Sequence, residues 1–171
     1  MSDESARPIH ICVVCSGNIC RSPYAEVLLR RAADERGWGT QVKVTSAGTL
    51  GISDSPAHDI SLAVAAEKGM NLMMFRSTPL TDELLHQVDL FVLLGREHRG
   101  WFESRTIPES ARVWLITQPG QEPPTDDDPG ILDPIGFEES DYRTALETID
   151  VALPALVEGI ENAFSLTGEE A

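Results

Sequence analysis

A cysteine and an arginine stand six positions apart in the segment Cys15-Ser16-Gly17-Asn18-Ile19-Cys20-Arg21-Ser22-Pro23. The apolar run Ile9, Ile11, Cys12, Val13, Val14 leads into it, so a buried strand is expected to enter a loop and then a helix that opens near Ser22-Pro23. That arrangement suits nucleophilic attack on a phosphate ester. Backbone N–H groups of the loop and the first turn of the helix make an anion cradle. An arginine adds a planar fork for two phosphate oxygens. A positive field of that kind also favours the thiolate, which is the reactive form of cysteine. The Cys-x5-Arg spacing alone is common; its specificity comes from the strand before it, Gly17 within it and the Ser-Pro after it.

The elements that must position this loop can be read along the chain. Residues 1–8 and 165–171 read as flexible tails around one domain spanning 9–164. Ala25, Leu28, Leu29, Ala32 and Ala33 fall on one face of a helix from Ser22 to Gly37. Val42 and Val44 begin a second strand that leaves through Ser46-Ala47-Gly48. Ser55-Pro56 opens a second helix through Ile60, Ala63, Val64 and Ala66, stopped at Gly69. A short helix is expected over Asp82–His86 with Thr81 as its cap, then a third strand over Asp89–Leu94. Arg96–Ser104 reads as helical and Val113–Ile116 as a fourth strand. Gln118–Gly136, rich in Pro, Gly and Asp, is a long loop of the kind that often carries function. Ser140–Phe164 is a long closing helix containing Pro154. Strands alternating with helices predict an α/β fold, a parallel sheet covered on both faces with its site at the C-terminal ends of the strands.

Composition narrows the function. The chain has 171 residues and a formal charge of −15, which argues against nucleic acid and against an anionic membrane surface. A phosphate pocket in such a chain must make its positive field locally, from Arg21 and backbone amides. The polar, acidic N-terminus does not read as a signal peptide, and no apolar run approaches a membrane span. Three cysteines, two in one loop, do not form a secreted disulfide framework, which favours a reducing, cytoplasmic setting. No Cys/His grouping has zinc spacing.

At this point the residues resemble a known family, the low-molecular-weight protein tyrosine phosphatases. The resemblance rests on Cys15–Pro23, on Ser46-Ala47-Gly48-Thr49, and on Asp133-Pro134 eight positions before Asp141-Tyr142; it covers about Ile9 to Phe164. It implies a four-stranded parallel sheet with the phosphate-binding loop after the first strand. It also implies a mechanism in two steps that needs no metal and no cofactor, acting on a phosphorylated protein. Carried over by position, Cys15 attacks phosphorus and forms a cysteinyl-phosphate. Arg21 and the amides of Ser16, Gly17, Asn18, Ile19, Cys20 and Ser22 hold the phosphate oxygens. Asp133 protonates the leaving group and then activates water. Asn18 braces the loop against Ser46, Ser22 donates to the Cys15 thiolate, and Cys20 stands where a redox partner for Cys15 would be. Asp128-Pro129 is a second Asp-Pro pair in the same loop and competes with Asp133 for the acid role.

The chain also departs from the family pattern. Phe75 stands where a histidine is usual, Ile52 where an aromatic rim residue is common, and Ile135 and Gly136 where two tyrosines are common. A wider cleft with low discrimination among aryl phosphates follows from the lost aromatics, with Phe137 as a partial replacement. Three other readings compete. A phosphate-binding module without turnover is favoured by Phe75. A protein arginine phosphatase is disfavoured by the bulky apolar Ile19. An arsenate reductase of similar fold is disfavoured because no cysteine follows Cys20. The four histidines share no spacing, and none is assigned a catalytic role.

Overall fold

The computed structural model describes residues 7–168. Eight principal elements follow in order: β1 (Ile9–Cys15), α1 (Arg21–Glu35), β2 (Val42–Gly48), α2 (Asp59–Glu67), β3 (Leu90–Leu93), α3 (Arg99–Glu103), β4 (Arg112–Leu115) and α4 (Glu139–Phe164). Short 3-10 turns occupy Gly39–Gln41, Asp82–His86 and Arg96–His98. The four strands form one parallel sheet in the order β2-β1-β3-β4, as the alternating pattern predicts.

Strand periodicity divides the core in two. Ile11 and Val13 of β1, Leu90 and Val92 of β3, and Trp114 of β4 face one way, against Leu28, Leu29, Val64, Leu146 and Ile149 from the long helices. Cys12, Val14, Phe91, Leu93 and Leu115 face the other way, against Leu85, Val88 and Phe102. Successive strand side chains alternate faces, so a sheet buried on both sides needs apolar residues at every position. The continuous runs in β1 and β3 meet that need.

Some boundaries and faces differ from the sequence reading. The second helix starts at Asp59 rather than at Ser55-Pro56, because the His58 imidazole caps it: the Ile60 N–H donates to Nδ1 at 3.2 Å. Its buried side is Ser61, Val64 and Ala65, while Ala63 and Ala66 are exposed. Ser61 is drawn inward by hydrogen bonds to the Cys20 carbonyl, at 3.0 Å, and the Cys20 thiol, at 3.4 Å. Thr81 precedes the Asp82–His86 turn without a side-chain cap bond. Within the expected tails, residues 1–6 and 169–171 lie outside the described residues. Arg7 bridges to Asp89 at 2.8 Å, and Leu166 is buried against the main core.

Three ends of strands converge on one edge of the fold. β1 runs into the Cys15 loop, β2 ends at Gly48 beside it, and β3 delivers the Arg96–His98 turn. The long loop before α4 closes over the same edge through a bridge between Gly95 and Gly130.

Candidate active site

The loop from Cys15 to Arg21 is held by its carbonyls. The Cys15 carbonyl accepts from Thr49 N–H at 3.1 Å, the Ser16 carbonyl from Leu50 N–H at 2.9 Å, and the Ile19 carbonyl from His58 N–H at 2.7 Å. The Cys20 carbonyl accepts from the Ser61 hydroxyl. In a trans peptide the N–H points opposite to the preceding C=O. With four carbonyls turned outward, the N–H groups of Ser16, Gly17, Cys20 and Arg21 turn toward the hollow of the loop. The same hollow faces the N-terminus of α1, where the first N–H groups have no helical partner.

Asn18 locks this shape. It is fully buried and holds a positive φ of 56°, a conformation that asparagine tolerates better than most residues. Its Oδ1 accepts from Thr78 N–H at 2.8 Å, which fixes the amide orientation. Its Nδ2 then donates to Ser22 Oγ at 2.7 Å and to Ser46 Oγ at 2.9 Å. Each serine receives a proton from Asn18, so each spends its own elsewhere. Ser22 Oγ donates to Cys15 Sγ at 2.9 Å, and Ser46 Oγ donates to Glu26 Oε1 at 3.1 Å. The network therefore ends on the sulfur at one side and on a carboxylate at the other. Burial raises the Glu26 pKa above its ordinary value. Gly48 makes the close approach of β2 possible: a Cβ there would lie 2.7 Å from the Ser16 carbonyl oxygen and 2.9 Å from Asn18 N.

Arg21 is 1% exposed and faces this hollow from the start of α1. Its NH1 donates to the Ile131 carbonyl at 2.7 Å and to Glu97 Oε1 at 3.1 Å. Its NH2 lies 3.4 Å from Asp133 Oδ2 and 3.4 Å from Ser16 Oγ. Asp133 is thus brought to the arginine across more than a hundred residues of chain, with Oδ1 accepting from Ile135 N–H at 3.1 Å. Asp128, the competing Asp-Pro, is engaged elsewhere: Oδ2 accepts from the Thr117 hydroxyl and Oδ1 from Gly130 N–H, each at 2.8 Å. It shapes the loop. Asp126, at the surface, pairs with Arg99, which reaches its Oδ1 at 3.1 Å.

His98 joins the site although the sequence reading gave it no role. It is buried, and Gly95 N–H donates to its Nδ1 at 3.1 Å. The ring proton therefore sits on Nε2, which donates to Ser16 Oγ at 3.0 Å. Burial, together with the nearby Arg21, brings the His98 pKa down to about 4, against the opposing pull of Glu97 and Asp133. A neutral imidazole is what this geometry requires. Glu97 was also passed over. Both lie just beyond β3, at the strand ends where a site is expected, and that rule is the signal that could have found them.

The remaining cysteines differ sharply from Cys15 in partners. Cys12 lies in the second core, and burial pushes its thiol up to about 12. Cys20 is buried beside Ser61, and burial pushes its thiol up to about 11. All three cysteines are free thiols. The rim is aliphatic where aromatics were expected to be missing. Ile52 packs over the loop near Gly17, and Leu50, Leu132 and Ile135 are exposed. Phe137 is exposed and lines a cleft of about 410 Å³ between the Asp133 loop and α4. Phe75 packs half-buried against the main core. Among the described residues, no group of three or more His, Cys, Asp or Glu side chains could hold a metal ion.

A polarised hydrogen bond onto a loop cysteine, beside a buried arginine and a facing aspartate, is the constellation of a phosphate-ester hydrolase. The profile described as "Low molecular weight phosphotyrosine protein phosphatase" matches residues 10–165. The chain belongs to that family, whose members are enzymes acting on phosphorylated protein. It is 30% identical over 168 residues to the low molecular weight protein-tyrosine phosphatase A of Mycobacterium tuberculosis, spanning 94% of this chain and 97% of the relative. It is 28% identical over 151 residues to a protein-arginine-phosphatase of Bacillus subtilis, 88% of this chain and 96% of the relative. Among solved structures, the tyrosine phosphatase Wzb from Escherichia coli K30, in complex with sulphate, superposes with a TM-score of 0.72. Identity there is 30%, covering 88% of this chain and 97% of that one.

Proposed function

We propose that the chain hydrolyses aryl phosphate monoesters, phosphotyrosine in proteins among them, through a cysteinyl-phosphate on Cys15. The observation that carries this is the Ser22 hydroxyl aimed at Cys15 Sγ, its proton direction set by Asn18. A donor held there stabilises a thiolate and later a thiolate leaving group. In the first step Cys15 Sγ attacks phosphorus and the bond from phosphorus to the aryl oxygen breaks. Asp133, in its acid form, gives its proton to that oxygen. In the second step water attacks phosphorus, the P–S bond breaks, and the Asp133 carboxylate takes the water's proton. Inorganic phosphate leaves and the Cys15 thiolate is restored.

Arg21 NH2 and the inward N–H groups of residues 16, 17, 20 and 21, with those of Asn18, Ile19 and Ser22, hold the equatorial oxygens. Charge spreads over those oxygens in the transition state, so fixed donors act most strongly there. Ser46 supports the loop through Asn18. Ile19 and Ile52 give the mouth an apolar lining, which favours an aryl group over a charged guanidinium. Cys20 is assigned as redox partner to Cys15. No described helix is long and apolar enough to cross a membrane.

The test is hydrolysis of p-nitrophenyl phosphate and of a phosphotyrosine peptide by wild type and Cys15→Ser. Wild type turns over both with little preference, and Cys15→Ser turns over neither while still binding vanadate. A wild type that binds phosphate but does not turn over makes the chain a binding module and overturns the reading.

A further inference from the structure

Gly95 and Glu97 form a pair that the reaction scheme leaves unused. Gly95 has φ −137° and ψ 153°, an extended conformation open to any residue, so backbone freedom does not explain a glycine there. Space does. A Cβ at position 95 would lie 2.2 Å from Glu97 Oε2 and 2.6 Å from both Glu97 Cδ and Oε1. Those three carboxyl atoms are the nearest it would meet. The glutamate therefore folds back over the glycine, and this places Oε1 3.1 Å from Arg21 NH1.

The partners of Arg21 divide by nitrogen. NH1 is spent on Glu97 and on the Ile131 carbonyl, at 3.1 and 2.7 Å. NH2 faces Ser16 Oγ, Asp133 and, at 3.5 Å, His98 Nε2, the groups at the hollow of the loop. A guanidinium is a rigid plane, so fixing NH1 fixes the direction of NH2. Two acceptors on NH1 set both its position and its tilt. The Glu97 side chain itself is 49% exposed, and its Oε1 also lies 3.6 Å from His98 Nε2.

We propose that Glu97 is a positioning residue that clamps Arg21 from the side away from the phosphate, and that Gly95 is glycine to admit it. This rests on the proposed role of Arg21 as the phosphate fork. Placement of a fork matters because a displacement near 1 Å at a reacting centre can cost about 100-fold. The carboxylate acts here as an acceptor of fixed geometry, so an uncharged amide of the same shape keeps part of the effect.

The experiment compares wild type, E97A, E97Q, G95A and the double variant G95A/E97A. The readouts are kcat and KM on p-nitrophenyl phosphate and calorimetric binding of inorganic phosphate. E97A lowers kcat by about tenfold or more and weakens phosphate binding, E97Q falls between it and wild type, and G95A behaves as E97A does. The double variant is no worse than E97A alone, because the same clamp cannot be lost twice. Additive losses in the double variant overturn the link between Gly95 and Glu97. Tighter phosphate binding or a lower KM in E97A overturns the proposal by making Glu97 a competitor for the fork. Wild-type-like behaviour of E97A also overturns it. Should the wild type lack turnover, the function proposed above fails, and phosphate binding across the same variants still decides the clamp.

Discussion

The two sides of the site are built on opposite terms. On the Cys15 side the bracing groups are tied down: Asn18 makes three hydrogen bonds, four loop carbonyls are turned outward, and Gly48 lets β2 press against the loop. On the Asp133 side a long irregular loop, 118–136, carries the carboxylate, whose side chain is half-buried. That loop is fastened near the site through the Gly95–Gly130 bridge, the Ile131 N–H and carbonyl, and the Asp128 bonds. The chemistry explains the difference. Charge on the phosphoryl oxygens develops at the same place for every substrate, so fixed donors serve it best. The leaving oxygen belongs to a side chain of a macromolecule, and the acid must reach it over substrates of differing shape.

The contrast can be broken most strongly from the Asp133 side. Asp133→Ala is expected to cut kcat by about 10²- to 10³-fold on phenyl phosphate and by less on p-nitrophenyl phosphate, whose phenolate needs less help from an acid. Equal losses on both would show that Asp133 is not the proton donor. Asp128→Ala is the paired control, since its carboxylate points at Thr117 and Gly130 rather than at the pocket.

From the rigid side, Asn18→Ala removes three hydrogen bonds and leaves a positive φ that alanine tolerates poorly. A loss of about 2 kcal/mol in stability is expected, with kcat/KM down by at least tenfold. Asn18→Gly separates the causes, because glycine accepts the positive φ but cannot bond Ser22, Ser46 or Thr78. If the glycine variant recovers full activity, backbone conformation rather than the serine network holds the loop.

The smallest effect lies in pH dependence. His98 is held neutral, its pKa brought from 6.5 to about 4 chiefly by burial. In that window the unfolded chain binds a proton the folded chain does not, so stability rises with pH and is lost as pH falls from 6.5 toward 4. The charged groups facing the ring are Arg21, Glu97 and Asp133. His98→Asn keeps an acceptor for Gly95 N–H and cannot take up the proton. Its thermal midpoint should depend less on pH across that window than the wild type's. Parallel curves for the two proteins would remove His98 as the source.

Much of this was legible in the sequence because it is local. The apolar run of β1, the Cys-x5-Arg segment and the start of α1 follow one another, so strand, cradle and nucleophile could be read together. The parallel sheet followed from doubly buried strands such as Leu90–Leu93. What escaped came from long range. Glu97 and His98 stand on a short turn without periodicity, and their meaning depends on Arg21 and Ser16 some 76 to 82 positions away. The start of α2 was misplaced because Ser55-Pro56 is a strong opening signal, yet the cap is a histidine ring. In α2 Val64 is buried as an apolar position should be, while Ala63 and Ala66 are exposed and a serine, Ser61, points inward to bind Cys20. Hydrophobic pattern cannot announce a buried hydroxyl.

The pressing of β2 against the Cys15 loop, admitted by Gly48, has a thermodynamic consequence. A cradle already shaped by its neighbours has little conformational entropy left to surrender when an anion arrives. Ordering flexible backbone costs roughly 1–2 kcal/mol per residue, and the folding of the domain has already met that cost for the residues of this loop. Oxyanion inhibitors of different sizes should therefore differ in enthalpy far more than in entropy. Their affinity should also register small changes in ionic radius, as expected of a mould rather than of a glove.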